Sequence, residues 1–231
     1  MPESNRELIS VPTRQHPFPL MLSRSALLVI DMQNDFCHPD GFFGSQWTVD
    51  LSPVRRIIPR IQLLINWARQ QTIPVFYTRE SHVPDLSDLT PSKKLRYINA
   101  GCPVGAPGKL GQFLIQGERG AALIDELQVL DDEQVIDKPA HSAFVATGLD
   151  QSLRKQGITH LLLAGVTTEC CVLGTYRHGS DLGFYGLLLE DCCAAFDPME
   201  HEAALNVLLA EQGAIGWVTS SEKLLSISNN S

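Results

Sequence analysis

The stretch HLLLAGVTTECC, residues 160–171, opens with apolar residues at consecutive positions. A strand wet on one face alternates apolar with polar side chains. An unbroken apolar run is what a strand covered on both faces requires, and such strands belong to parallel sheets. Five other segments read the same way: ALLVID (26–31), IPVFYTR (73–79), EQVIDK (133–138), FYGLLLED (184–191) and AIGWVT (214–219). Helical patterns separate them. In SPVRRIIPRIQLLINWARQQ (52–71) the residues Ile57, Ile58, Ile61, Leu64, Ile65 and Trp67 form one stripe, and Pro59 marks where the regular part begins. AALIDELQ (121–128), TGLDQSLRKQG (147–157) and EHEAALNVLLAEQG (200–213) read as further helices, the last two closing on a glycine cap. Strands alternating with helices predict an α/β three-layer αβα sandwich around a mostly parallel six-stranded sheet.

The chain of 231 residues supports one core. Residues 1–24 carry four prolines and little periodicity, which predicts an extended N-terminal arm before a single domain over residues 25–231. A formal net charge of -8 without a basic run excludes a phosphate-neutralising surface, so a small molecule is the expected partner and nucleic acid is not. No apolar run approaches the ~20 residues of a membrane span, and the expectation is a soluble cytoplasmic protein with no membrane partner. The cysteines at 37, 102, 170, 171, 192 and 193 follow neither a secreted disulfide framework nor zinc-site spacing, so reduced thiols are expected. Residues 80–120 are rich in Pro, Gly, Ser and Asp and too long for a plain connection, which predicts a lid or an interface.

In an open parallel sheet ligands sit beyond the C-terminal ends of the strands. Asp31, Lys138 and Asp191 end three of the apolar runs, and Cys170 and Cys171 follow a fourth. A carboxylate, an amine and a thiol brought together form a nucleophilic set. The thiol attacks only as thiolate, which an ammonium and a helix N-terminus favour, and Asp31 can take its proton and hand it to a leaving amine. Thr168 is positioned to cap a helix starting at Glu169, which would aim the N–H groups of residues 169–171 at a developing oxyanion. Two adjacent helical residues point about 100° apart, so only one of Cys170 and Cys171 can face the crevice. Spacing does not choose between them.

Taken together, VIDMQNDFC, VIDKP and GVTTECCV resemble the cysteine hydrolases of the isochorismatase-like superfamily, over roughly residues 25–225. The pattern is a strand-end Asp followed by Met-Gln, then Lys-Pro, then G-V-x-T-[DE]-x-C-V. On that register Gly165, Val166, Thr168, Glu169 and Val172 fit with Cys171 as nucleophile, and Cys170 falls at a variable position. The resemblance implies a catalytic set of Asp31, Lys138 and Cys171. It also implies a cis peptide between Val166 and Thr167, with the N–H groups of Thr167 and Cys171 holding the oxyanion. It suggests Phe36 as a pocket wall and a substrate-binding glutamine near the C-terminal end, in a register open between Glu211 and Gln212 and assigned to Gln212. Within the superfamily, YTRESHVPDLSDL and GERGAALIDEL look most like the biuret hydrolase group, which cleaves a terminal amide of small ureides. The D-x-H metal motif of nicotinamidases is replaced by TRESH, so no metal and no cofactor are expected. True isochorismatases lack the cysteine, which argues against vinyl-ether hydrolysis.

The expected activity is hydrolysis of a terminal C–N amide bond of a small, biuret-like ureide through a cysteine thioester, with release of ammonia. The related alternative is an amidase acting on an N-carbamoyl amino acid or ureidoacrylate. A non-catalytic ligand-binding or thiol redox-sensing protein is the rival of another class, and a homo-oligomer, dimer or tetramer, is expected.

Overall fold

The computed structural model describes residues 8–227. Its centre is a six-stranded sheet formed by β3 (Ser25–Ile30), β4 (Val75–Glu80), β7 (Gln134–Lys138), β8 (His160–Val166), β9 (Tyr185–Ala194) and β10 (Trp217–Thr219). β1 (Ile9–Val11), β2 (Phe18–Leu20), β5 (Pro107–Gly108) and β6 (Gly111–Gln112) make two small antiparallel ribbons. The helices are α1 (Asn34–Cys37), α2 (Phe42–Ser45), α3 (Ser52–Arg56), α4 (Ile58–Gln70), α5 (Pro91–Asn99), α6 (Leu149–Lys155), α7 (Leu173–Asp181), α8 (Pro198–Gly213) and α9 (Ser221–Ile227). Every pairing in the central sheet is parallel, and the strand order is β10-β9-β8-β3-β4-β7. The sandwich expected from the apolar runs is therefore the fold. No helix among the described residues is long and apolar enough to cross a membrane.

Both faces of the central strands are buried, as the runs require, while β7 at the edge leaves Gln134 and Val135 exposed. On β3, Leu27 and Val29 join Ile61 and Leu64 of α4 in one core, while Ala26, Leu28 and Ile30 join Tyr176 of α7 and Leu205 of α8 in the other. Each buried Leu, Val or Ile among these stabilises the fold by about 1.5–3 kcal/mol. The chain builds β3, β4 and β7 in one direction and β8, β9 and β10 in the other. The order reverses between β3 and β8, which opens a crevice at their C-terminal ends.

Gly165 makes that junction possible. Its φ is +119°, and a Cβ there would stand 2.0 Å from the carbonyl oxygen of Ile30, so only glycine lets β8 pass this close to the end of β3. The β8–β9 register shifts between Leu163 and Gly165, an irregularity of the kind that re-aims the end of a strand.

Two sequence expectations change. Residues 9–24 are not a loose lead-in: β1 and β2 pair, and Val11, Phe18 and Leu20 are buried in the core. The arm is tied to the last strand by the Arg14 N–H to the Val218 carbonyl (2.9 Å) and by Thr219 Oγ1 to the Pro12 carbonyl (2.6 Å). AALIDELQ is not a helix. Its backbone bonds instead to the chain following β3, with Asn34 N–H donating to the Ala122 carbonyl and Ile124 N–H to the Met32 carbonyl, both at 2.9 Å. Its apolar residues act as single anchors, with Ile124 and Leu127 buried, and no helical face forms. The segment 80–120 is ordered by α5, by the β5–β6 ribbon and by Phe113, which stacks on Phe42 at 4.1 Å.

Candidate active site

The C-terminal edge of the sheet gathers an ion cluster that is fully inside the protein. Asp31 follows β3 with φ +50°, a left-handed conformation that Asp tolerates better than most residues and that turns the chain out of the strand. Its Oδ1 accepts the Thr78 hydroxyl at 2.6 Å, and Oδ2 lies 2.8 Å from Lys138 Nζ. Lys138, the last residue of β7, also reaches the Ala140 carbonyl at 2.9 Å and Glu80 Oε2 at 3.3 Å. Asp31 and Lys138 are both fully buried. Burial alone would lower the lysine pKa, but the Asp31 and Glu80 carboxylates outweigh it and hold the ammonium charged.

The peptide between Val166 and Thr167 is cis, as the resemblance implied. A π-helical turn, Thr168–Val172, follows and leads into α7. Thr168 does not cap this turn. It is fully buried, and its hydroxyl is taken up by His201 Nδ1 at 2.8 Å. The amides of Cys170 and Val172 both turn back to the Thr167 carbonyl, at 3.2 and 3.1 Å. Within this turn the two cysteines meet different further partners. Cys171 is buried and donates its thiol proton to Glu80 Oε2 at 3.1 Å, and one ligand atom from each of Asp31, Glu80 and Cys171 lies within 4.8 Å of the others. Cys170 is half-buried and faces His141 instead.

The electrostatics follow from this division. The hydrogen bond with Cys170, burial and the nearby carboxylates keep Cys171 a neutral thiol at rest, well above the usual thiol range. Its hydrogen bonds with Cys171 and His141 pull Cys170 down to about 6 despite burial. The His141 pKa rises in return, chiefly through its hydrogen bond with Cys170. Cys171 therefore becomes a thiolate when its proton moves to a carboxylate, with Lys138 present to compensate the charge.

Glu80, at the end of β4, is the group the sequence reading passed over. It sits at the strand-end position that drew attention to Asp31, Lys138 and Asp191, and the same rule points to it. Its Oε1 meets Lys93 Nζ at 2.5 Å and accepts the Tyr97 hydroxyl at 2.7 Å. Burial alone would raise its pKa, yet Lys138 and Lys93 hold it well below the usual carboxylate range. Lys93 and Tyr97 are one turn apart on α5 and so share a face. Lys93 spends its other protons on the Pro139 carbonyl and on His82 Nε2, both at 2.8 Å, and His82 Nδ1 in turn meets Asp88 at 3.0 Å. Burial and Lys93 lower the His82 pKa, consistent with a neutral ring that accepts at Nε2. Asp31, Glu80 and Cys171 have the spacing of a metal-ligand set, but the Lys138 ammonium already stands between the two carboxylates as their counter-charge.

The remaining sequence candidates lie outside the ion cluster itself. Asp191 accepts Ser221 N–H and Oγ at 2.7 Å and pairs with Arg60 at 2.8 Å, which anchors the start of α9. Phe36 packs in an aromatic cluster, 5.4 Å from Phe43, which stacks on Phe196 at 4.7 Å. Gln212 is not brought to the thiol within this chain. α8 leaves the crevice end of β9 and returns to the opposite edge of the sheet, where β10 begins. There Gln212 is exposed, with φ +59°, and its carbonyl meets His16 Nε2 at 3.0 Å. Glu211 is equally exposed beside it, with φ +53°.

An ion-paired carboxylate and amine around a buried thiol constitute the parts of a cysteine hydrolase, and comparison with known proteins points the same way. The Isochorismatase domain family matches residues 25–223. The ureidoacrylate amidohydrolase RutB of Yersinia enterocolitica is 33% identical over 213 residues, covering 90% of this chain and 91% of that protein. Among solved structures, an isochorismatase family protein from Desulfovibrio vulgaris superposes with a TM-score of 0.73 at 25% identity, covering 89% of this chain and 98% of its own. N-carbamoylsarcosine amidase from Thermoplasma acidophilum does so with a TM-score of 0.65 at 25% identity, covering 86% and 97%.

Proposed function

The chain belongs to the isochorismatase domain family, and from that premise we propose that it is a cysteine amidohydrolase that cleaves a C–N bond of a small ureido compound, a terminal carbamoyl group joined through N–H to a substituent R. The observation that carries the reading is the contact of Asp31, Lys138, Glu80 and Cys171 in one buried cluster at the sheet's reversal point. The relatives named for ureidoacrylate and N-carbamoylsarcosine act on substrates with a terminal carbamoyl group. The stretches TRESHVPDL and GERGAALIDEL favour a compact neutral R, as in biuret; the ureidoacrylate relatives favour an R that bears a carboxylate.

In this mechanism Asp31 takes the Cys171 proton, and Sγ forms a bond to the carbonyl carbon. The N–H groups of Thr167 and Cys171 hold the oxyanion. The C–N bond breaks as Asp31 returns the proton to the departing nitrogen, which leaves as ammonia when the terminal bond is cut. Water then gives a proton to Asp31, attacks the thioester carbon and releases the acid and the thiol. Lys138 keeps the Asp31 carboxylate and the thiolate in register. Phe36 and its aromatic neighbours would form the dry wall.

The test is ammonia release from biuret, N-carbamoyl amino acids, ureidoacrylate and nicotinamide. Cys171→Ala should abolish turnover of whichever ureide is hydrolysed, while Cys170→Ser should retain most of it. An active Cys171→Ala beside a folded, inactive Cys170→Ser overturns the assignment and transfers the chemistry to the Cys170–His141 pair. A clear preference for nicotinamide over every ureide overturns the substrate class.

A further inference from the structure

We propose that Glu80 is a specificity-determining residue that reads a second nitrogen on the substrate's carbonyl carbon, so that the site selects ureides over simple carboxamides. The inference rests on the amidohydrolase reading above and narrows its substrate class.

A carboxylate offers about four acceptor positions. Those of Glu80 are all in use: Lys93 and Tyr97 donate to Oε1, and Lys138 and the Cys171 thiol donate to Oε2. Among the described residues Asp31 accepts only the Thr78 hydroxyl at Oδ1 and pairs with the Lys138 ammonium at Oδ2, so about two of its positions stay free. The two carboxylates are therefore not equivalent. Glu80, clamped between two buried lysines, is held as an anion, and the thiol proton goes to Asp31.

Once the thiol has ionised, Glu80 Oε2 has lost a donor. An acceptor left without a donor inside the protein costs free energy that a substrate N–H recovers. Oε2 lies 3.1 Å from Sγ, so a carbonyl carbon bonded to that sulfur carries its substituents into reach of the same oxygen. Of the two groups flanking the carbonyl carbon, the departing nitrogen must face Asp31, which protonates it. The other faces Glu80. In a ureide that group is an N–H, whichever of the two C–N bonds breaks. In a simple carboxamide it is carbon, and Oε2 stays unpaired. The Lys93, Tyr97 and His82 contacts hold the receptor in place, and this gives the ordered 80–120 segment a function: it carries the clamp on α5.

The experiment uses substrate pairs that differ only by an N–H against a methylene group: biuret with malonamide, and N-carbamoylglycine with succinamate. Values of kcat/KM are measured for the wild type and for Glu80→Gln, with circular dichroism and thermal melting to establish folding. In the wild type each ureide should exceed its methylene partner by at least about tenfold, the size of one hydrogen bond to a charged group. That order runs against intrinsic reactivity, since a urea carbonyl is the poorer electrophile. In Glu80→Gln the ratio should fall by about tenfold or more, with the loss on the ureide. Equal turnover of the two members of a pair by the wild type, or an equal loss on both in Glu80→Gln, overturns the role of Glu80 while leaving the thiol chemistry standing. If Glu80→Gln does not fold, the wild-type ratios decide alone. No ammonia from any of the four overturns the ureide reading, and this inference with it.

Discussion

Replacing Lys93 by Met tests whether the clamp on Glu80 is a true interior ion pair. Both side chains are almost wholly buried, and their charges are 2.5 Å apart. At an effective dielectric of about 20, two unit charges at that distance attract by about 7 kcal/mol. Much of this offsets the loss of water around the two ions, so the pair as a whole contributes little. Removing one partner is different: it leaves the buried Asp31 and Glu80 carboxylates to share the single ammonium of Lys138, an uncompensated interior charge that costs about 3–5 kcal/mol. Lys93→Met also frees His82 Nε2 and the Pro139 carbonyl, which pushes the loss toward the upper end. The loss should depend on pH. The depressed pKa of Glu80 contributes stability above the unfolded carboxylate value of about 4.3, and that contribution disappears as pH falls through the folded value. Without Lys93 the folded pKa rises, so the gap between wild type and variant should be full at pH 8 and smaller at pH 4, closing only as pH falls through the wild-type folded value. Urea unfolding at both pH values measures it. In the double variant Lys93→Met/Glu80→Gln the losses should fall short of the sum of the two single variants by about 2 kcal/mol or more. A loss below about 1 kcal/mol at pH 8, the range of exposed pairs, or strict additivity in the double variant, refutes the reasoning.

Two further outcomes follow from other parts of the molecule. Asp35 is buried, and burial raises its carboxyl to about 6 against the Leu114 and Phe42 amides that favour the anion. A raised folded pKa gives stability that is full below the unfolded value and lost as pH climbs through about 6, so Asp35→Asn should raise the melting temperature at pH 8 and not at pH 4; an unchanged profile counts against this. Exhaustive chelation should leave ureide hydrolysis intact, because Lys138 supplies the positive charge between Asp31 and Glu80, and activity lost to chelator and restored by zinc or manganese would contradict that.

What could be read in the chain and what could not divides along a physical line. The near-continuous apolar runs, clearest in β3, β8 and β9, determined the parallel sheet, because only a strand covered on both faces keeps apolar side chains at every position. The strand-end rule then placed Asp31, Lys138 and the cysteine pair at one edge, since parallel strands all finish on the same side. Choosing Cys171 over Cys170 took the family register; in the structure the two thiols meet different partners, Cys171 the Glu80 carboxylate and Cys170 the His141 ring. AALIDELQ carried a helical period, but a period is a local property, and the backbone of 121–128 was claimed by the chain after β3. Gln212 was placed by likeness in a loop, whereas the return of α8 carries it to the far edge of the sheet. Lys93 and Tyr97 left no trace in sequence. They reach Glu80 only because residues 80–120 fold back over the strand ends, and nothing within a segment encodes which distant ion it will meet. Periodicity records the environment of each element, which is why the layers were legible; a buried ion pair records the meeting of two elements, and only the folded chain determines that.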